Sequence, residues 1–591
     1  ELIAGQITSG TAGSGIIVFN HTSDFLFSTP VSGFISIVHM AGVTVLDGAL
    51  DYSGGLYVSG GTMTLGAGAT LSGTSEFTEV AGPGAVLDLG GKELATEVLI
   101  VAGGELRNGV VEMEGASVEE GRISATLTGT GMLAKSGTGT AYLEGEQFYT
   151  GTTVIAEGVL ELLGSTVSDA EVDGGVFRVS GVAGGDVNVN SGALILNGTV
   201  SGSVTVNDFG VVSGAGYIAQ NLLNNGIVAP GNSPGTLTIG GNYTQTANGM
   251  LGIEIASPKQ YDRLVVGGTA SLDGTVYFYV SGRPGKTKYQ FLTAEGGVEG
   301  EFATVSTNTL LTAQLFYLPN AVQVSFVQEE SFLEFAKEEG LSQNVQNLAR
   351  ALDRANDRGQ LQSLIEELYG IDRSELPKVL ASLSPETLTQ IFQMGFSAAQ
   401  IQYGNIERRL DDVRNGAIGF SANGLALTNS RGSLNYDGTP IVNTRDGLQL
   451  AGFDGKSLVG KQHVAPVVTE SRWGFFATGS GEWADVETTA QARGSEFTTG
   501  GFTVGADYRV CPNFVVGIAG GYTNLSSKLY NDGKIEANSG RGSVYATAFG
   551  NGFYANAMVG GAYNSYKTKR KTVGGTAFGS PDGGEFNALL G

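Results

Sequence analysis

The stretch Phe502-Thr-Val-Gly-Ala-Asp-Tyr-Arg-Val510 sets Phe502, Val504, Ala506, Tyr508 and Val510 on one side of an extended chain, with Thr503, Gly505, Asp507 and Arg509 on the other. Side chains alternate with period two along a strand, so every charge falls on one face. The apolar set reads as lipid-facing, and Thr503, Asp507 and Arg509 as lumen-facing, which is the pattern of a transmembrane β-barrel strand. Working outward, five strands are expected at 473–482, 497–510, 514–524, 542–549 and 553–563. Trp473, Tyr508, Phe514, Tyr522 and Tyr563 fall near the predicted strand ends, where an interfacial girdle places aromatics. Closed barrels need about eight strands or more. The segment 473–591 is therefore expected to be the N-terminal part of an antiparallel barrel, incomplete in this chain, with Gly591 a fragment boundary.

Upstream, residues 1–326 carry short β runs between Gly-containing turns, such as Thr62-Met-Thr-Leu65, Ala193-Leu-Ile-Leu196 and Ser203-Val-Thr-Val206. The composition agrees: 94 Gly without a collagen period, 13 Pro, 15% charged and 41% hydrophobic residues describe a mainly β chain with a continuous core. Irregularly spaced runs of three to six residues point to the rungs of a right-handed parallel β-helix, each satisfying its backbone by stacking on the next. A tandem array of β-sandwiches competes, but the Pro-rich linkers and buried Trp of such arrays are missing.

Residues 327–415 change character. Gly thins out, charge rises, and Leu361, Leu364, Ile365 and Leu368 form one i, i+3, i+4, i+7 face; Ser384-Pro385-Glu386 supplies an N-cap with Pro at the first helical position. Three or four helices are expected there. Residues 416–472 return to Gly/Asn/Asp-containing chain and read as a linker with extended pieces, with either this segment or the helix at 405–414 as the candidate occupant of a pore.

The net charge of −24 argues against a nucleic-acid partner, since phosphate binding rests on Lys and Arg. Cys511 is the single cysteine, so no internal disulfide forms. The chain starts at Glu1 without a basic n-region or an apolar h-region, which places any expected signal peptide upstream. No apolar run reaches the ~18 residues of a membrane helix, so any membrane span is expected to be a barrel.

Three segments resemble the type V autotransporter family of Gram-negative outer membranes. Residues 127–162 are similar to its passenger-associated transport repeat, G-x-L-x-K-x-G-x-G-x-x-x-L, then Y-T-G-x-T-x-[VI], then G-x-L-x-[LV]. Gly131, Leu133, Lys135, Gly137, Gly139, Leu143, Tyr149, Thr150, Gly151, Thr153, Ile155, Gly158, Leu160 and Leu162 occupy that frame, with Phe148 the one departure. Gly226-Ile-Val-Ala-Pro-Gly-Asn-Ser-Pro-Gly-Thr-Leu-Thr-Ile239, followed by Asn242-Tyr-Thr-Gln245 and Tyr261-Asp-Arg-Leu-Val-Val266, resembles the P-G-x-S-P-G-x-L and Y-D-x-L-x-V segments late in pertactin-like passengers. The third segment, Trp473-Gly-Phe-Phe-Ala477 through Val510, resembles the start of the autotransporter β-domain. The resemblance implies a β-helical passenger at 1–326 (transport repeat 127–163, terminal rungs 226–326), a helical junction at 327–415 and a partial barrel at 473–591. It implies an outer-membrane anchor that exports the passenger, C-terminal end first, to the cell surface. Implied partners are outer-membrane lipid, the barrel-assembly machinery and a host-cell, matrix or glycan ligand of an adhesin. The family usually runs its helix directly into the first strand, whereas here some sixty residues intervene.

Catalytic chemistry is sparse. Gly231-Asn-Ser-Pro-Gly235 fits Gly-x-Ser-x-Gly, but the Pro after the Ser and the β run beyond make a turn rather than a nucleophile elbow. His21, His39 and His463 have neither i, i+4 spacing nor a Cys partner, so no metal site is expected. Glu112, Glu114, Glu119 and Glu120 form the densest acidic group before the helices, with Arg122 as the single nearby cation. They suit a solvated turn edge, and a polysaccharide-active passenger is the alternative. A secreted β-solenoid without a barrel is a third reading. No catalytic residue, cofactor or metal is assigned, and an adhesive or structural surface role is favoured because stacked edges make extended binding surfaces.

Overall fold

The computed structural model describes residues 5–9, 13–285, 287–384, 388–417, 419–432, 472–486, 495–529, 533–573 and 575–591. The chain divides into two compact units, 1–329 with 369–372, and 330–368 with 373–591.

The first unit is a parallel β-solenoid of about 12 turns. A single short strand cannot satisfy its own backbone groups, so each pairs in parallel with the strand one rung on. Three columns of paired residues run along it. One steps from Leu133 through Thr153, Ala170, Val187, Val204, Leu222 and Tyr243 to Ala270. A second passes from Ala141 through Leu160, Phe177, Leu194, Val212, Val228 and Leu251 to Val276. The third joins Gln147, Thr166, Ala183, Val200, Ile218, Ile239, Val266 and Ala294. All of these side chains are buried. The alternation expected from the short β runs is thus the alternation between core and solvent.

Corners need residues that leave room for the rung below. Gly145, Gly164, Gly181 and Gly198 lie over one another, and a Cβ on Gly181 would fall on the carbonyl oxygen of Gly164. The stack ends by a change of direction. Residues 289–294, 321–327 and 312–318 pair antiparallel, so the last parallel rung is covered by a hairpin rather than left open.

The second unit begins with helices α1 (Phe332–Glu338), α2 (Gln343–Asp357), α3 (Gln362–Tyr369), α4 (Leu376–Leu383) and α5 (Gln390–Arg414), five among the described residues where three or four were expected. Ser331 and Ser342 cap α1 and α2 with their hydroxyls. Asp353 of α2 adds a tertiary cap, accepting from the amides of Phe332 at 2.9 Å and Leu333 at 3.0 Å. One sequence expectation is corrected here. Ile365 and Leu368 are buried on α3, but Leu361 precedes that helix at φ 56° and is exposed, because the chain is still turning there. Ser384 is the C-cap of α4; Pro385 and Glu386, on which the expected N-cap depends, lie outside the described residues.

After α5 comes a sheet of strands β1 (Gly419–Gly432), β2 (Trp473–Val486), β3 (Ser495–Cys511), β4 (Phe514–Leu529), β5 (Gly533–Gly550), β6 (Phe553–Thr572), β7 (Gly575–Gly579) and β8 (Asp582–Leu590). β2 to β6 pair antiparallel in sequence order, and β7 and β8 both pair with β6. Within 416–472, residues 419–432 are an extended piece that forms a strand parallel to β2; residues 433–471 lie outside the described residues. β2 to β6 all run longer than the five expected strands, and β7 and β8 were not expected.

Gly181→Val should destabilise the solenoid by about 1–3 kcal/mol through overpacking against the rung below. Gly115→Ala, whose Cβ meets nothing within 4 Å, should change stability by less than about 0.5 kcal/mol. Denaturant unfolding followed by circular dichroism compares the two.

Candidate functional site

Strands β2 to β6 divide their side chains by polarity in the sense opposite to a soluble protein. One face carries Trp473, Phe475, Phe502, Val504, Phe514, Ile518, Tyr522, Val544, Val559 and Tyr563, all exposed. The other carries Thr478, Ser480, Glu482, Thr499, Thr503, Asp507, Thr523, Ser527, Arg541 and Asn564, all buried. Within β3, Phe502, Val504 and Val510 are exposed and Ala506 and Tyr508 partly so; Thr503 and Asp507 are buried, and Arg509 reaches the carbonyl oxygen of Val413 at 3.3 Å. Tyr522 and Tyr563, expected near strand ends, lie in mid-strand.

Helix α5 covers the polar face. It has 25 residues, and its buried side combines Met394, Ala398, Ile406 and Leu410 with Ser397, Gln402, Asn405 and Arg409. Ser397, Asn405 and Arg409 share a four-residue spacing that keeps them on one side of the helix. Each meets the sheet. Ser397 donates to Glu482 and lies 3.3 Å from the Thr499 hydroxyl. Asn405 donates to Ser480 at 2.7 Å and to Thr503 at 3.0 Å. Arg409, fully buried, holds Asp507 through two bonds of 2.7 and 3.1 Å, and the Tyr545 hydroxyl donates to the same carboxylate at 3.3 Å. Arg541 of β5 pairs with Glu585 of β8 at 2.8 and 2.9 Å and donates to the Gly395 carbonyl at 3.2 Å. Of the two candidate segments, α5, which extends well N-terminal of residue 405, is seated on this buried face of the sheet; most of the other, residues 433–471, lies outside the described residues.

Several hydroxyls of this buried face, those of Thr478, Thr523, Ser539, Ser543 and Thr547, have no protein partner; such a group buried dry costs about 1–3 kcal/mol.

In the solenoid, the resemblance frame becomes one packed block. Leu133, Lys135, Leu143, Tyr149, Thr153, Ile155, Leu160 and Leu162 are all buried. Lys135 is fully buried, and its Nζ donates to the carbonyl oxygens of Ser136 at 2.5 Å, Gly137 at 2.7 Å and Glu157 at 3.2 Å. Burial pulls its pKa below the usual lysine value, while Glu157, Glu119 and Glu120 oppose that shift. Gly158, at φ 63°, is required because a Cβ there would strike Lys135 Nζ and the carbonyls of Gly137 and Gly139. Gly131 and Gly151 stack likewise, on Glu114 and Gly131. Tyr149 shares a hydrogen bond of 2.6 Å with Thr153, which lies 2.9 Å from Ser168. The frame residues act as a lysine-clasped rung.

The two later motifs also meet. Asp262 accepts from the Gly235 amide and from the Glu254 amide, each at 2.8 Å, and so ties Tyr261-Asp-Arg263 to the turn 230–235. Ser233 in that turn donates to Glu254, which also accepts from Ser281 at 2.8 Å. Burial pushes the Asp262 carboxyl up to about 6. Nothing in the local sequence marks Asp262 or Asp353 as tertiary caps, whereas the four-residue spacing in α5 was a readable signal.

Glu112, Glu114, Glu119 and Glu120 are exposed, and Arg122 pairs with Glu144 and stacks 4.6 Å over Tyr142. His39 is buried with its Nδ1 bonded to the Gly60 carbonyl at 2.8 Å, and the His21 ring lies 6.1 Å away. His463 lies outside the described residues. Among those residues no three His, Cys, Asp or Glu side chains gather as a metal site, and no helix is long and apolar enough to cross a membrane.

Residues 475–591 match the autotransporter β-domain family. The chain is also similar to the adhesin BmaC autotransporter of Brucella suis biovar 1 (strain 1330), with 36% identity over 128 residues, 20% of this chain and 4% of that protein. The chain therefore spans a small part of the length of the relative it matches.

Arg409→Met should leave Asp507 buried without its partner and cost the second unit about 3–5 kcal/mol, with much of the loss recovered in Arg409→Met/Asp507→Asn. Thermal unfolding in detergent measures both. A separate expectation concerns Asp262. Its folded pKa, about 6, lies above the ordinary 3.8, so its contribution is fully present below the unfolded value and lost as pH rises through about 6. The stability deficit of Asp262→Asn relative to the unsubstituted chain should therefore shrink by up to about 3 kcal/mol between pH 4 and 7, read from urea unfolding at each pH.

Proposed function

We propose that this chain, an autotransporter by its C-terminal β-domain behind a β-solenoid, is held in the outer membrane by its barrel strands and carries the solenoid as a passenger at the cell surface. The inverted polarity of β2 to β6 carries this reading. On β4 the outward series Phe514, Val516, Ile518, Gly520, Tyr522 spans about 27 Å of extended chain, close to the ~25 Å apolar band of an outer-membrane barrel once strand tilt is allowed for. Tyr522 and Tyr563, opposite one another across Gly540, fit one edge of that band and Trp473 with Tyr508, 5.0 Å apart, the other. Phe502, Val504, Ala506, Tyr508 and Val510 would then face lipid and Thr503, Asp507 and Arg509 the water-filled lumen. The tight turns at 512–513 and 551–552 suit the periplasmic end, where such barrels have short connections.

Passage as an extended chain, C-terminal end first, needs a bias and no nucleotide. Each rung that stacks outside buries apolar area at about 25 cal/mol per Å², which opposes backsliding. The Lys135 rung at 127–163 and the terminal rungs at 226–326 are the proposed nucleation blocks. For the passenger itself we favour an adhesive or structural task, with a host-cell, matrix or glycan ligand, over catalysis. The name of the relative and the dispersed carboxylates support that choice. A polysaccharide-active passenger is the alternative, and turnover abolished by Glu112→Gln or Glu119→Gln would establish it. The barrel-assembly machinery is the expected folding partner, and the localisation requires a signal peptide upstream.

Ile518→Arg, near the middle of the outward band, should cost about 2–4 kcal/mol and strip folded protein from the membrane, whereas Ser526→Arg, beyond Tyr522, should cost no more than about 1 kcal/mol. Heat-modifiable migration of the membrane fraction reports the folded barrel. Equal behaviour of the two variants would refute a lipid-facing sheet and leave a soluble solenoid.

A further inference from the structure

The outward face changes character beyond the tyrosines. Past Tyr522 come Asn524, Ser526 and Lys528; past Tyr563 come Ser565, Lys567, Lys569 and Lys571; and β5 opens with Lys534, Glu536 and Asn538. Lys528 stands directly opposite Lys534, and Lys534 directly opposite Lys569. Lys567 and Lys571 are exposed on the same face of β6. Arg570 belongs to the inner face and donates to the Ser384 carbonyl at 3.1 Å.

Three lysines in one cross-strand row are unfavourable, since like charges directly opposite in a sheet repel. Composition does not account for them: the chain is strongly acidic, yet five of its fourteen lysines lie here. The carboxylates on this face are Glu536, which pairs with Lys534, Glu496 opposite Lys528, and, at the margins, Asp485 opposite Glu496 and Asp582 opposite Ser565. Among the described residues Lys534 is the one lysine of the row with an ion pair, so the cationic excess centres on Lys567 and Lys569. Height matters as well. Lys567 and Lys569 are about 13 and 20 Å along the strand from Tyr563, or about 9 and 14 Å of height after tilt, and a lysine stem bends back toward the interface. That is the level of lipid headgroups.

We propose that Lys528, Lys534, Lys567, Lys569 and Lys571 form a binding site for the phosphate groups of an anionic membrane lipid, with Lys528, Lys534 and Lys569 as its cross-strand row. The proposal rests on the barrel reading above. The favoured ligand chemistry is a lipid headgroup carrying more than one phosphate monoester, because a divalent anion can lie between adjacent lysines of the row. Among the described residues no arginine lies on this face beyond the tyrosines, so recognition by the lysines is by point charges and is sensitive to salt.

The test uses the full chain folded in a neutral detergent. Binding of diphosphoryl lipid A, its monophosphoryl form and its dephosphorylated form is measured by native mass spectrometry. The unsubstituted chain should prefer the diphosphoryl form, lose about tenfold or more in affinity between 0.05 and 0.5 M salt, and retain the lipid against an equal concentration of inorganic phosphate. Lys528→Gln/Lys567→Gln/Lys569→Gln should weaken binding about tenfold to hundredfold. Without lipid, the same variant should unfold at an equal or higher temperature, because repulsion has been removed. Equal binding of the dephosphorylated form, displacement by inorganic phosphate, indifference to salt, or unchanged affinity in the triple variant would each overturn the proposal. Failure of the barrel reading is distinguishable, since the protein would then remain soluble without detergent and show no heat-modifiable band.

Discussion

Every backbone N–H and C=O in an extended strand needs a partner outside its own segment, and the two units meet that requirement in different ways. In the solenoid the partner is the next rung, parallel along each of the three columns, so a chain can go on adding rungs provided each corner admits the rung below. Gly145, Gly164, Gly181 and Gly198 meet that condition at one corner. In the second unit the partner is the antiparallel neighbour, and β2 to β6 bond continuously over 14 to 20 residues each. The first arrangement suits water, because its apolar faces converge on a column. The second turns its apolar face outward and its polar face toward a helix, which is stable in lipid and costly elsewhere.

What was legible in the sequence follows the contrast between faces. The alternation at 502–510 is strong because one face carries exposed or half-buried apolar side chains and the other carries Thr503 and Asp507 buried against α5. The same strands were read too short where that contrast weakens: past Tyr522 and Tyr563 the outward face turns polar, while the buried face mixes Thr523, Leu525 and Ser527 on β4 with Asn564, Tyr566 and Thr568 on β6, so period two is faint although pairing continues to Lys528 and Lys569. Residues 419–432 were read only as extended pieces within a linker, their Gly and Asn content hiding the length of the paired strand. Leu361 misled through spacing alone, since an apolar residue at helical distance can still belong to the preceding turn. Ion pairs and caps that join distant segments, such as Arg409 with Asp507 and Asp262 with the 230–235 turn, leave no local signature because neither partner needs any particular neighbour in sequence.

The buried polar groups divide by role. Lys135 gives three carbonyl oxygens a donor at a point where the rung bends, and replacing it by an apolar residue would leave those acceptors unmet. That explains a charged residue in an otherwise apolar column without any appeal to chemistry at the surface. Arg409 has a different task. Apolar contacts of α5 with the sheet, such as Ile406 and Leu410 beside Phe476 and Met558, are non-directional, and a bidentate Arg–carboxylate pair supplies direction as well as attraction. Asn405 and Ser397 extend the same line of contacts along α5.

The proposed secretion by folding would place one demand on this design that ordinary folding does not, because the rungs would have to form in order from one end. A parallel solenoid satisfies it. Each rung contacts mainly its two neighbours, so stability accumulates by nearest-neighbour terms and a stable terminal block can template the next turn. The antiparallel hairpin at 312–327 gives that end a cover that does not wait for a further rung. The 230–235 turn, tied to Asp262 and Glu254, adds long-range bonds to the same end. On the proposed route these segments emerge early, so the most heavily cross-braced rungs would be the ones available to start the stack, while the lysine-clasped rung at 127–163 would consolidate it farther along.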